Sequence, residues 1–199
     1  MIVGSGPAGV SAAESNRRAG GTSAATIVTD DRPRPYLRPP LSKNFLQGDA
    51  SASDIALHPP EWFRDLDIEL IRQDGVVSID THAQRATTRA GRTIPYTHLI
   101  LATGAEPKPF TVPGRRRALT LRSFHDAQTL RDAAEASATA VVVGAGFIGC
   151  EAAASLALRR IATTLVSPDE MPQRNRLGNA AGERITGLLA AAGPRYVGA

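Results

Sequence analysis

Two glycine-rich turns of the same spacing constrain the fold of this chain more than any other feature of its sequence. Their glycines are Gly4, Gly6 and Gly9 in the first turn and Gly144, Gly146 and Gly149 in the second. Each turn follows a run of apolar residues and precedes an alanine-rich stretch, which predicts a strand, a tight turn and a helix. There the first glycine makes the turn, the second lets a pyrophosphate approach, and the third lets helix and strand pack closely. The pair predicts two dinucleotides bound by one chain.

The order of the predicted elements is typical of an α/β fold with parallel sheets, built from two Rossmann-like units. Helices are predicted over residues 8–19, 126–135, 147–160 and 180–192, and strands over 24–29, 68–71, 76–79 and 162–166, with a loop from Pro168. Ser42 is predicted to cap a short helix that begins at Lys43 and ends at Gly48.

The prolines Pro107, Pro109 and Pro113 predict a connection between two domains, over residues 1–108 and 109–199. A dinucleotide-binding domain needs about 100–200 residues. Only three residues precede Gly4, where a strand usually has about five. We therefore expect both units to be incomplete.

An acid about 20 residues after the last glycine binds the ribose hydroxyls in such a unit. Asp30 lies 21 residues after Gly9 and fits this role, although a turn aspartate is the alternative. In the second unit the corresponding strand ends at Ser167, and acids follow only at Asp169 and Glu170. A missing acid removes a partner for the 2′-hydroxyl and a repulsion against a 2′-phosphate. The choice between NAD and NADP therefore stays open.

Composition and charge argue against several other classes of protein. No apolar run reaches the roughly 20 residues of a membrane span, and no signal peptide is recognisable, so a cytoplasmic location is expected. The single cysteine, Cys150, cannot form a CxxC site, and the four histidines lack metal-ligand spacing. The basic run at residues 115–117 is more typical of a solvated loop than of a nucleic-acid site. A net charge of +4 favours an acidic partner through electrostatic steering.

A third stretch, PYLRPPLSK from Pro35 to Lys43, connects the chain to a known family. It resembles the PY(D/E)RPPLSK motif of the FAD-dependent ferredoxin and rubredoxin reductases of oxygenase systems, which are related to apoptosis-inducing factor. Stretches at residues 101–104, 121–122 and 146–151 resemble further motifs of this family in the same order. The chain departs from the pattern at Leu37 (usually an acid), Cys150 (usually leucine) and Ser167 (usually an acid in NAD users).

The resemblance implies which residues contact each nucleotide. It places in contact with FAD, or close to it, Gly4, Gly6, Ala8, Gly9, Asp30, Arg38, Lys43, Val76, Ala102, Thr103, Gly104 and Arg122. It places in contact with the nicotinamide nucleotide Gly144, Gly146, Ile148, Gly149 and Glu151. From the residues alone, Val76 is a strand residue with a packing role and Arg122 belongs to a solvated face.

The resemblance also implies a function, a flavoprotein reductase that passes electrons from NAD(P)H through FAD to an acidic ferredoxin- or rubredoxin-like iron–sulfur protein. Because the cofactors carry this chemistry, no protein acid or base is assigned. No metal ligand is assigned either, because the histidines lack the spacing of metal ligands. Two alternatives stay open, a nucleotide-regulated signalling flavoprotein of the apoptosis-inducing-factor type and an inactive truncated product. Steady turnover with an added ferredoxin favours the reductase. A nucleotide-linked change of oligomer with slow flavin reduction favours the signalling protein.

Lys43 and Glu151 are expected to form an ion pair beside the flavin. A cation at the first position of a helix is disfavoured by roughly 0.3–1 kcal/mol, which suggests another role for Lys43. Glu151 follows Gly149 by two residues and is expected in the first turn of its helix. The family resemblance places both residues near the flavin. A solvated lysine and a helix-stabilising glutamate are the alternatives.

Overall fold

The computed structural model describes residues 1–108 and 110–198, which form two compact units; Pro109 of the predicted connection lies outside them. The first unit contains residues 1–37 and 56–106, and the second contains residues 38–55 and the described residues from Pro107 onward. The helices are α1 (Pro7–Arg18), α2 (Asn44–Gln47), α3 (Pro60–Asp65), α4 (Phe124–Glu135), α5 (Phe147–Leu158), α6 (Arg174–Leu177) and α7 (Asn179–Ala192). The strands are β1 (Ile2–Val3), β2 (Ala25–Val28), β3 (Ile68–Ile71), β4 (Val76–Asp80), β5 (Arg85–Thr88), β6 (Thr93–Pro95), β7 (Ile100–Leu101), β8 (Thr139–Val143), β9 (Ala162–Ser167) and β10 (Arg195–Gly198).

The first unit is built on a parallel sheet in the order β3-β2-β1-β7, and it carries a second, antiparallel sheet, β4-β5-β6. In the parallel sheet Ile2 of β1 pairs with Ile27 of β2 and Ile100 of β7. Val10 and Ala13 join Ile2 and Ile27 in one core cluster. Val10 and Ala13 lie on one face of α1 because they are three residues apart. This packing sets the first glycine turn at the carboxyl end of β1.

The second unit has a parallel sheet in the order β10-β9-β8. Its core has two clusters, one joining Ala153 of α5 to Leu165 of β9, and one joining Leu46 of α2 to Leu156 of α5. Leu46 and Leu165 are fully buried. Segment 38–55 therefore contributes to the core of the second unit, whose glycine turn lies between β8 and α5.

The elements around the two glycine turns lie close to their predicted bounds, whereas the predicted cap of α2 is wrong. Ser42 lies in a 3₁₀ turn over Pro39–Ser42, and α2 begins at Asn44, with Lys43 as the preceding residue. Gly48 ends α2 as predicted, with a φ of 93° in the left-handed region.

The loop predicted from Pro168 is wrong in part, because it contains α6, and the chain after α7 forms the unpredicted strand β10. Each of these elements has four residues. β10 pairs along its length with β9, where Tyr196 lies opposite Leu165. An element of four residues is too short to show a hydrophobic period in the sequence. Its secondary structure is therefore decided by the element with which it packs. None of the described helices is long and apolar enough to cross a membrane.

Candidate functional site

The first glycine turn has the geometry that its sequence predicts. Gly4 has a φ of 105°, which favours glycine, and its N–H donates to the Val28 carbonyl at 2.8 Å. A Cβ on Gly9 would collide with the Gly4 carbonyl oxygen, so only glycine lets α1 pack this closely. Gly6 is the extended residue that precedes α1.

The second glycine turn repeats this geometry in the second unit. Gly144 has a φ of 100°, and its N–H donates to the Val166 carbonyl at 2.8 Å. A Cβ on Gly149 would collide with the Gly144 carbonyl oxygen. Gly146 precedes α5 with φ −69° and ψ 178°, close to the values of −67° and 176° at Gly6. Two separate stretches of sequence therefore build the same turn.

The helices that follow the turns present backbone N–H groups without intrahelical partners. Ala8 and Ile148 belong to the first turns of α1 and α5, and neither turn holds an acidic residue in the part of the chain that the structure describes. The positive end of each helix dipole lies at the same place. This arrangement fits a phosphate group, which accepts several N–H bonds and carries negative charge.

The residues that follow β7 pack against the first turn. The Ala102 N–H donates to the Val3 carbonyl at 2.8 Å, and a Cβ on Gly4 would collide with the Ala102 carbonyl oxygen and lie 3.2 Å from the Thr103 nitrogen. Gly104 follows with a φ of 74°. The structure thus brings the predicted segment 102–104 beside the first glycine turn.

Asp30 follows β2 and is held by Arg89, whose guanidinium donates to both carboxylate oxygens at 2.9 Å. An ionised carboxylate keeps further acceptor positions on both oxygens, which suits a ribose hydroxyl. Val76 is half-buried at the start of β4, and the preceding Gly75 leaves space beside the Asp30 side chain. No local sequence signal identifies Arg89, which lies 59 residues after Asp30.

In the second unit, four charged residues named from the family resemblance line one cavity of about 270 Å³. They are Arg38, Lys43, Arg122 and Glu151, and Ile148 of α5 lines the cavity with them. Because the three cations outnumber the one carboxylate, the lining of this cavity carries a net positive charge. The cavity therefore suits an electron-rich or anionic group.

Lys43 and Glu151 form the expected ion pair, with 2.7 Å between Nζ and Oε2. Lys43 Nζ also donates to the Pro39 carbonyl at 3.1 Å. Glu151 is the fifth residue of α5 and lies beyond its first turn, so the expectation of a first-turn acid is wrong. Glu151 also contacts Ser42, whose hydroxyl donates to the same Oε2 at 2.6 Å.

Ser42 ties segment 38–55 to α5 through both its side chain and its backbone. It is buried, and its carbonyl accepts a hydrogen bond from Ser155 Oγ at 2.7 Å. Gln47 Nε2 donates to Ser155 Oγ at 3.1 Å. The sequence interpretation gave Ser42 a helix-capping role and missed its bond to Glu151, which lies 109 residues further along the chain.

Cys150 is half-buried beside Glu151 at the second glycine turn. Burial raises the pKa of the Cys150 thiol, and the Glu151 carboxylate raises it further. The thiol donates weakly to the Ala145 carbonyl, with 3.5 Å between sulfur and oxygen. A thiol with a raised pKa holds little thiolate at neutral pH, so this environment does not activate a nucleophile.

Ser167 ends β9 as a buried residue, and its Oγ accepts the Asp169 N–H at 3.2 Å. The Asp169 carboxylate accepts from Asn175 Nδ2 at 2.6 Å, and Glu170 pairs with Arg174. Both acids after Ser167 are therefore bound to local partners. Arg174 and Arg176 both follow this strand end in the sequence, and Arg174 is engaged in the pair with Glu170.

A larger cavity of about 780 Å³ runs from the second glycine turn along β8. Gly146 and Phe147 line it at the turn, and Arg176 of α6 lines it with its guanidinium 5.8 Å from the centroid of the Phe147 ring. Gln173, which the sequence interpretation missed, is buried beneath the turn and donates from Nε2 to the Ala145 carbonyl at 2.6 Å. The turn is therefore anchored on one side and open on the other.

Comparisons with known proteins match most of the chain. Residues 1–195 match the family described as pyridine nucleotide-disulphide oxidoreductase. Rhodocoxin reductase of Rhodococcus erythropolis is 39% identical over 181 residues, which are 90% of this chain and 42% of that protein. Apoptosis-inducing factor 3 of Mus musculus is 36% identical over 187 residues, which are 93% of this chain and 30% of that protein.

A solved structure matches nearly the whole chain. A chain in the covalent complex of putidaredoxin reductase with putidaredoxin matches with a TM-score of 0.90 and 30% identity. The match covers 99% of this chain and 48% of that one. The chain thus spans less than half the length of each of these three proteins.

Proposed function

The chain belongs to the pyridine nucleotide-disulphide oxidoreductase family, and we propose that it carries the nucleotide-binding units of a flavoprotein reductase. FAD and NAD(P)H are the cofactors of this family. The proposed activity passes electrons from NAD(P)H to a small iron–sulfur protein of the ferredoxin or rubredoxin type. Bound FAD supplies the chemistry, since a flavin takes up a hydride and releases single electrons, while the protein supplies binding, orientation and electrostatics.

The observation that carries this proposal is the repetition of one turn geometry in two units of one chain. Gly4 and Gly144 both have left-handed backbone, and both donate their N–H to the carbonyl of the neighbouring parallel strand at 2.8 Å. Gly9 and Gly149 both pack where a Cβ would collide with a backbone oxygen. Each turn fits a pyrophosphate, and an enzyme that transfers electrons between a nicotinamide and a flavin needs two dinucleotide sites.

We assign FAD to the first unit and the nicotinamide nucleotide to the second, and this assignment rests on the family pattern and on the site chemistry. Asp30 supports FAD in the first unit, because its carboxylate keeps acceptor capacity for ribose hydroxyls beside Arg89. In the second unit Gly144, Gly146, Ile148 and Gly149 surround the N-terminus of α5, where a pyrophosphate is stabilised.

The charged cavity of the second unit supports the roles proposed for Arg38, Lys43, Arg122 and Glu151. Positive charge favours a group on which negative charge develops, and the effect is larger where water is excluded. Lys43 is the cation that we propose for this role, and Glu151 offsets part of its charge. The Glu151 carboxylate keeps acceptor capacity on Oε1, which suits the carboxamide of a nicotinamide.

The acceptor is inferred from relatives and from charge. Rhodocoxin reductase is the relative reported above with the highest identity, and the matching solved structure is a putidaredoxin reductase linked to putidaredoxin. The chain carries a net charge of +4, which steers an acidic protein towards it. We therefore propose an acidic ferredoxin- or rubredoxin-like protein as the acceptor.

The test is electron transfer by the purified protein reconstituted with FAD under anaerobic conditions. Loss of the flavin absorbance is followed after addition of NADH or NADPH, and reduction of an added ferredoxin or rubredoxin is followed next. We expect rapid bleaching of the flavin and steady reduction of the acceptor. Absence of bleaching with both nucleotides would contradict the proposal. A nucleotide-linked change of oligomer without steady acceptor turnover would instead favour a signalling role.

A matched pair of glycine variants tests whether the second turn holds the nucleotide. Gly149→Ala places a methyl group against the Gly144 carbonyl, whereas a Cβ at Gly187 of α7 meets open space. We expect Gly149→Ala to lose bleaching by NAD(P)H while dithionite still reduces its flavin, and Gly187→Ala to behave like the wild type. Equal bleaching rates in the two variants would remove the second turn from the proposed site.

A further inference from the structure

We infer that Gln173 is a positioning residue for the second glycine turn, which it orients for phosphate binding by holding the Ala145 carbonyl. This inference rests on the proposed function, since it takes that turn as the site of the nicotinamide nucleotide. Gln173 follows β9 and lies 28 residues after Ala145. It links the loop after one strand to the turn after the neighbouring strand.

The hydrogen bond from Gln173 fixes one peptide of the turn. Its Nε2 lies 2.6 Å from the Ala145 carbonyl oxygen, and both residues are buried, with 6% and 7% of their surface exposed. The carbonyl's other described donor is the Cys150 thiol, at 3.5 Å, and a thiol is a weak donor. Gln173 is therefore the strong partner of this carbonyl.

Holding the carbonyl also sets the direction of the next N–H group. In a trans peptide the carbonyl and the N–H point in opposite directions, and the chain contains no cis peptide among its described residues. Because the Ala145 carbonyl faces Gln173, the Gly146 N–H faces away from it, on the exposed side of the turn that lines the larger cavity. That side is where a phosphate reaches the turn.

The backbone of Gln173 has a conformation that surrounding contacts must maintain. Its φ of 61° and ψ of 5° lie in the left-handed region, which is unfavourable for a residue with a Cβ. Glycine or asparagine is favoured at such a position, yet a buried glutamine occupies it. Strained backbone conformations concentrate at ligand sites, where surrounding contacts maintain them. At Gln173 one such contact is the hydrogen bond from its side chain to the Ala145 carbonyl.

The same residue places a second element of the site. The Gln173 carbonyl accepts N–H bonds from Arg176 at 3.0 Å and from Leu177 at 2.9 Å, which start α6. Arg176 lines the cavity at the turn, over the Phe147 ring. One residue therefore sets both the direction of the Gly146 N–H and the position of a nearby cation.

The test compares Gln173→Met with Gln73→Met. Methionine has nearly the length of glutamine but donates no hydrogen bond. Gln73 is exposed in the first unit and has a φ of 60°, so its substitution makes the same chemical change at nearly the same φ. The ligands are ADP-ribose, which has the pyrophosphate, and adenosine, which lacks it, each titrated by ¹H–¹⁵N NMR. We expect Gln173→Met to bind ADP-ribose about fivefold to tenfold more weakly, as for loss of one well-aligned hydrogen bond, with adenosine binding unchanged. Gln73→Met is expected to bind both ligands like the wild type.

The outcomes distinguish failure of this inference from failure of the proposed function. Equal affinity of wild type and Gln173→Met for ADP-ribose would overturn the inference and leave the proposed function standing. Equal weakening for ADP-ribose and adenosine would reduce Gln173 to a general structural role. Failure of the wild type to bind ADP-ribose would instead count against the proposed function. If Gln173→Met does not fold, the test is the shift of the Gly146 amide resonance of the wild type on addition of ADP-ribose. An amide resonance that saturating ADP-ribose leaves unchanged would contradict the proposed direction of the Gly146 N–H.

Discussion

Lys43 Nζ lies 2.7 Å from Glu151 Oε2, in an ion pair that joins the segment before α2 to the middle of α5. The two side chains are 46% and 33% exposed, so solvent screens their attraction and the pair adds little to stability. Both residues line the charged cavity of the second unit. A pair that contributes little to folding but faces a cavity is better placed to serve binding and chemistry.

The pair predicts coupled effects in Lys43→Met, Glu151→Gln and the double variant. In the free energy of unfolding we expect a coupling of only about 0.2–1 kcal/mol, reduced by salt. In the rate of flavin reduction by NAD(P)H, measured by stopped flow, we expect clearly non-additive effects. The Arg18–Glu14 pair of α1 is the control, since neutralising it should leave the reduction rate unchanged. Additive rate effects at Lys43 and Glu151 would mean that they do not act as a pair.

Ser42→Ala should loosen Glu151 without removing any charge. The lost hydrogen bond joins a buried hydroxyl to a carboxylate, and bonds to charged groups contribute about 1.5–3 kcal/mol. We expect a fall in the free energy of unfolding of that order and a slower reduction of the flavin. Ser155→Ala is the control, because it removes the bond to the Ser42 carbonyl but leaves both partners of Glu151 in place. Ser155→Ala should lower the free energy of unfolding without slowing the reduction of the flavin. Equal rates of flavin reduction in Ser42→Ala and Ser155→Ala would contradict a role for Ser42.

Ser167→Glu should shift the nucleotide preference away from NADPH. Two unit negative charges about 4 Å apart repel by about 1 kcal/mol even in water, so the ratio of kcat/KM for NADPH to that for NADH should fall at least about fivefold. Ser167→Gln, which has the same shape without the charge, should change the ratio much less. An unchanged ratio in Ser167→Glu would show that this position does not contact the ribose.

Cys150 should react slowly with iodoacetamide, because burial and the Glu151 carboxylate raise the pKa of its thiol and the thiolate is the reactive form. Glu151→Gln removes one of these two causes, so the pKa should fall towards its ordinary value and alkylation at pH 8 should become faster. Glu135→Gln, in α4, removes a carboxylate that is not among these causes and should leave the rate unchanged. A slower reaction in Glu151→Gln would contradict the assigned cause.

Asp74 should make the first unit sensitive to acid. The Ala90 N–H, the Thr88 hydroxyl and the charges of Arg92 and Arg89 lower the pKa of the Asp74 carboxyl, against the opposing effect of burial. A folded-state pKa below the unfolded value of about 3.9 contributes stability above that pH, which is lost as the pH falls through the folded-state pKa.

The measurement is the free energy of unfolding of wild type and Asp74→Asn from neutral pH to pH values below about 4. The wild type should be the more stable protein at neutral pH, and the difference should shrink as the pH falls. Thr88→Val removes one hydrogen bond to the carboxylate and should show a smaller version of the same trend. A difference that stays constant with pH would contradict the role of the Asp74 charge.

The sequence by itself determined the two glycine turns and the elements around them. Gly4 and Gly144 adopt a φ that other residues disfavour, and Gly9 and Gly149 stand where a side chain would collide with the backbone. These are steric requirements within six residues, so the residue types alone reveal them. The end of α2 at Gly48 was predictable for the same reason, whereas the cap at Ser42 was not, because the hydroxyl has a stronger partner elsewhere.

The tertiary structure alone decided which distant groups meet. The bonds of Ser42 to Glu151, Arg89 to Asp30 and Gln173 to Ala145 join residues 109, 59 and 28 positions apart. The Lys43–Glu151 pair was expected from a family resemblance and from the unfavourable place of a cation at a helix start, and neither is a signal that the two segments meet. No pattern within one segment shows which distant residue it will bond to, because packing of apolar surfaces brings the segments together and proximity then fixes the polar partners. The chain therefore carries the phosphate turns in its local sequence, and the residues that orient them only in its fold.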